Sequence, residues 1–166
     1  MRITYQPLNF RRFTMFEVLV YMFEHYLGDD YLPDQDILID ELSAAGFDTA
    51  DISNAFVWFR ELDELSDQLQ TAAPEQSSSI RMFIDAETQK ISLESLSFIS
   101  YLQQAGIFSA AQRELVIDRA MALPQIEVGI DEVRWIVLMT LTNLGDTRDY
   151  LFVEDAVFGD VKPTLH

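Results

Sequence analysis

The stretch "LSAAGFDTADISNAFVWF", Leu42–Phe59, has the outline of a helix-turn-helix. An apolar helical segment runs into Ala45-Gly46, a turn follows, and a second periodic segment opens near Asp48. Glycine reaches the left-handed conformation that closes a helix, and Phe47 can then pack back onto that end. Downstream, Ile52, Ala55, Phe56, Phe59, Leu62 and Leu65 recur at helical spacing and define a third helix. Upstream, Pro33 and Asp34 mark the start and N-cap of a second helix reaching Ala45, with Ile37, Leu38, Leu42 and Ala45 facing inward. A first helix spans Thr14–Leu27 on a stripe of Phe16, Leu19, Val20, Phe23 and Leu27. Val18, Tyr21 and Met22 make its other side apolar too, which implies a central position or a covering partner.

Charge decides whether such a motif reads DNA. Readers of duplex DNA owe most of their affinity to Lys and Arg on phosphates. From Asp29 to Asp67 there are Asp29, Asp30, Asp34, Asp36, Asp40, Glu41, Asp48, Asp51, Glu61, Asp63, Glu64 and Asp67, against the single base Arg60. The would-be recognition helix starts on Asp48 and Asp51, where a phosphate would meet repulsion. Direct DNA binding through it is disfavoured.

The polar run "QTAAPEQSSS", Gln70–Ser79, is the natural connector after the third helix. "IRMFIDAETQKIS" then reads as a short β-hairpin, Ile80–Ile84 and Gln89–Ser92 around an acidic turn. Helix four follows over Leu93–Ala105. Helix five starts at the capping box Ser109-Ala-Ala-Gln112 and runs to about Leu123, before Pro124. Helix six, "DEVRWIVLMTLTNL", is apolar on nearly every side between Trp135 and Leu141, as a central helix would be. A last helix is expected over Thr147–Val157. "LQQAGI", Leu102–Ile107, echoes "LSAAGF", Leu42–Phe47; a shared type of helix ending accounts for it more simply than duplication.

The expected fold is therefore mainly α: about seven helices, a winged-helix-like N-terminal half and one short β-hairpin. Its divisions are an N-terminal extension (1–14), a helix-turn-helix-like three-helix module (15–72), a connector and hairpin (73–92) and a C-terminal helical module (93–166), which can together form one continuous domain. A chain of 166 residues, 49% apolar and 12% aromatic, has ample material for a core.

Composition also narrows the chemistry. With no cysteine, the chain has no disulfide framework, thiolate metal site or cysteine nucleophile. Eleven Lys and Arg against 28 Asp and Glu give a net charge of −17, a field that repels phosphate and attracts basic surfaces. No G-x-S-x-G, Walker A loop or G-x-G-x-x-G occurs. His25 and His166 stand far apart, and His25 reads as a residue at the edge of the core. The acidic run from Asp34 misses the calcium-loop pattern, because Ile39 occupies the glycine position and Ala45 that of the bidentate glutamate. No catalytic, cofactor-binding or metal-ligating residue is expected, and no cofactor. Arg11-Arg12 before Phe13–Phe23 only mimics a signal, since Glu17 interrupts the apolar run and no small-residue cleavage site follows. No apolar run approaches the ~18 residues of a membrane span. The expected location is the cytoplasm.

Several stretches, taken in order, resemble the bacterial Smg family, a group defined as a domain of unknown function. "MFEVLVYMFEHYL" is similar to its N-terminal helix and "DQDILIDELSAAGFDTADISNAFVWFREL" to its central signature, including Asn54-Ala55 and Trp58. "SIRMF", "QRELVIDRAMAL", "DEVRWIVLMTLTNL" and the final histidine follow in the same order. The resemblance spans Met15 to His166 and leaves residues 1–14 as an atypical extension or an upstream start. It implies a bacterial cytoplasmic protein and brings no established activity, cofactor or catalytic residue.

The expectation is a non-enzymatic acidic interaction or regulatory protein. Its partner would be a basic protein or a component of nucleic-acid machinery, met through Asn54, Trp58, Arg60 and Arg81. The alternative is a winged-helix-like nucleic-acid-associated regulator with Ile80–Ser92 as the wing and Arg81 and Lys90 as its basic contacts.

Overall fold

A computed structural model describes residues 13–26, 33–72 and 80–145. Among them are seven helices: α1 Met15–His25, α2 Gln35–Ala44, α3 Thr49–Thr71, α4 Asp85–Lys90, α5 Leu93–Gln104, α6 Ala110–Met121 and α7 Ile130–Asn143. The chain groups into two compact units, Met1–Ala55 and Phe56–His166, with the division falling inside α3. Most of the connector expected at 70–79, and the helix expected over Thr147–Val157, lie outside the described residues.

In the first unit, Thr14 opens α1 with a reciprocal capping box. Its hydroxyl accepts the Glu17 N–H at 3.3 Å, and the Glu17 carboxylate accepts the Thr14 N–H at 2.8 Å. Met15, Val18, Leu19 and Met22 are the buried residues of α1, while Phe16, Val20 and Phe23 are half-buried. The inward face is thus rotated from the expected stripe, which an all-round apolar helix leaves undetermined. Leu38 and Leu42 bury the inner side of α2, whereas Ile37 and Ala45 are exposed. Asp34 occupies the N-cap position but makes no side-chain capping bond.

The helix, Ala-Gly turn, helix reading of Leu42–Phe59 is borne out. Gly46 sits at φ +102°, its N–H donates to Ser43 O at 3.1 Å, and the Phe47 N–H donates to Leu42 O at 3.1 Å. This pair of bonds satisfies carbonyls that the end of α2 would leave unpaired, in a conformation that costs glycine nothing. Phe47 then meets the Phe13 and Tyr21 rings edge-on, at centroid distances of 5.0 and 5.3 Å. Gly106 (φ +77°) repeats the pattern after α5, donating to Gln103 O at 3.0 Å while Ile107 donates to Leu102 O at 3.0 Å. The two Ala-Gly stretches therefore share one closing geometry.

The second unit is built on α5, α6 and α7, which pack on one another, with α4 against α6. Val133, Ile136, Val137, Leu138, Met139, Thr140 and Leu141 are all buried, so α7 is the central helix its sequence implied. The Thr140 hydroxyl is accommodated by donating to Ile136 O at 2.7 Å. The Ser109–Gln112 capping box forms as expected at the start of α6.

The hairpin expected over Ile80–Ile84 and Gln89–Ser92 is not formed. Residues 80–84 lead directly into α4, and no strand or sheet occurs among the described residues. Asp85, Glu87 and Lys90 explain the difference. Two carboxylates sit at the positive end of a short helix and a cation at its negative end. The Glu87 carboxylate also reaches back to accept the Ile84 N–H at 3.1 Å, as a helix start requires. Among the described residues the pairing is a single parallel bridge, Ile91 to Val128. Without the hairpin, the described residues offer no wing of the kind expected at Ile80–Ser92.

Candidate interaction surface

The end of α6 organises the polar chemistry of the second unit. The last carbonyls of a helix have no partner within it. Here side chains from elsewhere in the unit supply them. The Trp58 indole N–H donates to Arg119 O at 3.0 Å. The Lys90 ammonium donates to Met121 O at 2.8 Å and also to Leu123 O. Lys90 thereby places a positive charge at the negative end of α6. The Arg119 guanidinium lies over the Trp58 ring at 5.5 Å and donates to Trp58 O at 3.2 Å, Glu61 at 2.9 Å and Asp118 at 2.7 Å.

A second cluster forms where residues 80–87 meet α6. Arg81 donates to both oxygens of Glu87 at 2.7 Å and to both oxygens of Glu114. Arg113 donates to Gln103 at 2.6 Å and to Glu114 at 2.8 Å. The bonds from Arg81 hold the Glu87 carboxyl below the usual carboxylate range, against the upward push of burial. At Glu114 partial burial pushes the carboxyl up, but Arg81 and Arg113 together bring it below its ordinary value. The same contacts, Glu87 first, raise the Arg81 pKa further.

These pairs share an orientation. The Arg119 side chain is 5% exposed, whereas its partners Glu61 and Asp118 are 45% and 54% exposed. Arg81 and Arg113 are 19% and 10% exposed beside a Glu114 that is 45% exposed. The cation is the inner member and the carboxylate the outer one, Glu87 excepted, since it is buried with Arg81. The cationic side chains within the described residues are Arg60, Arg81, Lys90, Arg113, Arg119 and Arg134. Each is engaged within the chain, Arg60 with Glu64 at 3.9 Å and Arg134 with Asp131 at 3.8 Å. Around α6 the described surface therefore presents carboxylate oxygen, with the positive charge of Arg81, Arg113 and Arg119 turned inward, while Arg60 on α3 stays exposed beside Glu64.

The residues singled out in the sequence fall in different settings. Asn54 is exposed on α3, and Arg60 is exposed beside Glu64. Trp58 is 2% exposed inside the second unit, and Arg81 is half-buried in the carboxylate cluster. The structure brings Trp58 to Arg119 and Arg81 to Glu87 and Glu114; it does not bring Trp58 to Arg60. Lys90, the other expected wing cation, serves as a cap on α6. Arg113 and Arg119 went unremarked in the sequence. Their signal was two arginines six residues apart on an apolar helix, each beside an acid, in "RELVIDR". His25 lies exposed at the end of α1, its ring stacked on Tyr21 at 4.0 Å and its Nδ1–H donating to Tyr21 O at 2.9 Å.

An apolar groove of about 670 Å³ lies within the second unit, between the last turns of α3, Ile84 and one face of α6. Leu65, Leu69, Leu115 and Met121 line its floor, and Glu114 and Asp118 stand along the α6 side. Among the described residues, no helix is long and apolar enough to cross a membrane.

Comparison with known proteins gives one consistent match. The profile of a family described as "Protein of unknown function (DUF494)" matches residues 15–166. A Protein Smg homolog of Methylobacillus flagellatus is 55% identical over 152 residues, covering 92% of this chain and all of the relative. The Protein Smg homolog of Halorhodospira halophila is 45% identical over 147 residues, covering 87% of this chain and 92% of the relative. That of Bordetella petrii is 38% identical over 152 residues, covering 92% and 100%. No solved structure matches the chain.

Proposed function

Because the chain belongs to the Smg family, whose function is unknown, we propose from its own surface that it is a non-enzymatic, cytoplasmic interaction protein that binds a basic protein partner. One observation carries the reading: around α6, Arg81, Arg113 and Arg119 are buried beneath Glu114, Glu61 and Asp118, so the exposed half of those ion pairs is negative. Such a face attracts Lys- and Arg-rich surfaces and repels a phosphate backbone. Arg81, with Arg113 at Glu114, pushes the Glu87 and Glu114 carboxyls down, which keeps this cluster's carboxylates charged.

The test is retention of basic proteins on the immobilised full chain at ~50 mM salt and their release at ~500 mM, where screening is strong. A duplex DNA gel shift runs in parallel at the lower salt. Salt-sensitive, stoichiometric binding of a basic protein with no DNA shift supports the proposal. A DNA shift without retained basic protein refutes it in favour of the nucleic-acid reading.

A further inference from the structure

The groove between α3 and α6 narrows the class of partner. Leu65 and Leu69 on α3 and Ala72 just past its end recur at i, i+4 and i+7, and Ala111, Leu115 and Asp118 do so on α6. Seven residues of helix span about 10 Å, so each wall is a stripe roughly two turns long. A third helix laid between two such stripes meets them with its own i, i+4, i+7 side chains, the usual form of helix-in-groove recognition. The apolar surface continues beyond the groove from Ile84 into the extended segment, where Met82 and Ile80 are 85% and 94% exposed. Scattered apolar side chains are ordinary on a protein surface, but a groove continuous with an exposed strip marks a place of contact.

Charge selects the occupant. Glu114 and Asp118 border the apolar floor with roughly half of each side chain exposed, and their arginines lie beneath them. A second copy of this chain, itself carrying −17, would set carboxylates against carboxylates. We propose that the α3–α6 groove docks a short amphipathic helix of a basic partner, its apolar face on Leu65, Leu69 and Leu115 and its flanking Lys or Arg on Glu114 and Asp118. This rests on the basic-partner reading and adds to it a site and a secondary structure.

Three labelled peptides of about 14 residues test it by fluorescence anisotropy with the full chain. One is a Leu/Lys amphipathic helix, one a scrambled Leu/Lys peptide of the same composition without an apolar face, and one the Leu/Glu counterpart of the first. Ala111→Trp and Gln68→Trp, both at exposed positions lining the groove, plug it without disturbing the core. The amphipathic Leu/Lys helix is expected to bind at least about tenfold tighter than the other two, and each plug to weaken it about tenfold. Methyl NMR adds a direct readout, with Met121 in the groove shifting on binding and the buried Met139 staying put. Equal affinity for the scrambled Leu/Lys peptide, or indifference to both plugs, overturns the groove while leaving a basic partner in place. Failure of both cationic peptides to bind, or preference for the Leu/Glu helix, overturns the groove and the basic-partner reading together.

Discussion

Replacing Trp58 by Phe tests how the second unit is held. The indole is 2% exposed, and its N–H supplies a carbonyl in the last turn of α6. Phe keeps an aromatic body in place but takes that donor away. A buried carbonyl left without a partner costs about 1–3 kcal/mol. The smaller ring also leaves a void worth about 1 kcal/mol. A loss of about 2–4 kcal/mol, or roughly 10 °C in Tm, is therefore expected. Arg119→Met is the companion substitution. It leaves the carbonyl bonded to the indole, and the two released carboxylates, about half exposed, recover water. The coupling between the two should not exceed the ring–guanidinium contact, about 0.5–2 kcal/mol. Urea unfolding followed by Trp135 fluorescence and far-UV circular dichroism measures all four proteins; Trp58 and Trp135, the chain's two tryptophans, both lie in the second unit. If Trp58→Phe lies within about 0.5 kcal/mol of the parent, the range of neutral surface changes, the capping role assigned to Trp58 is wrong.

Three further outcomes are expected. Gly106→Ala meets nothing within 4 Å of its new Cβ, so its cost is that of the left-handed backbone alone, about 1–2 kcal/mol; thermal melts should show Gly106→Asn losing less. The Tyr26 hydroxyl donates to Glu41, and that bond, with burial, pushes its pKa from 10.0 up to about 12. A group raised in the folded state adds stability below its unfolded pKa and loses it as pH climbs through the folded one. One of the six tyrosines should accordingly ionise late in a 295 nm titration, and Glu41→Gln should bring it back toward 10. Glu87 runs the other way: its depressed carboxyl contributes above the ordinary glutamate pKa and loses that contribution as pH falls through and below it. Glu87→Gln should thus be less stable than the parent by about 1–3 kcal/mol near neutrality and converge with it in acid, which denaturation curves between pH 7 and pH 3 would reveal.

What the sequence disclosed follows from where local rules decide. Gly46, Gly106 and the Ser109–Gln112 box are local devices, and their geometry was legible from a few neighbouring residues. The all-round apolar run of α7 likewise left only a central position. Failure came where two periods fit one short stretch. "IRMFID" alternates as a strand does, and residues 80–84 keep that alternation, with Ile80, Met82 and Ile84 outward. What turned the next residues into a helix was Glu87 reaching back to Ile84 and Arg81 closing over Glu87. That Arg81 also binds Glu114, 33 residues away, is a contact no local pattern contains. Trp58 shows the same limit: the spacing placed Phe56 and Phe59 inward, but the indole is favoured by a carbonyl 61 residues along the chain.

Net charge is a scalar, and folding gives it a direction. The sequence supplied −17 and could not say which groups would face water. Burying an arginine is tolerable only when its donors are met, and α6 and its surroundings meet them with Trp58 O, Gln103 and four carboxylates. Each carboxylate has two oxygens, so one that binds an inner guanidinium can still present acceptors outward when its side chain is half exposed, as at Glu61, Glu114 and Asp118. The arginines thereby do two jobs at once. They fix the α6 wall of the groove, and they hold its outer carboxylates in place with part of each side chain open to solvent. Removing Arg81 or Arg119 would add to the net negative charge yet loosen the groove's α6 wall, so affinity for a cationic amphipathic helix should fall even as the total charge grows more attractive. A protein that recruited partners by net charge alone would show the opposite trend, and that contrast separates a built surface from a merely acidic one.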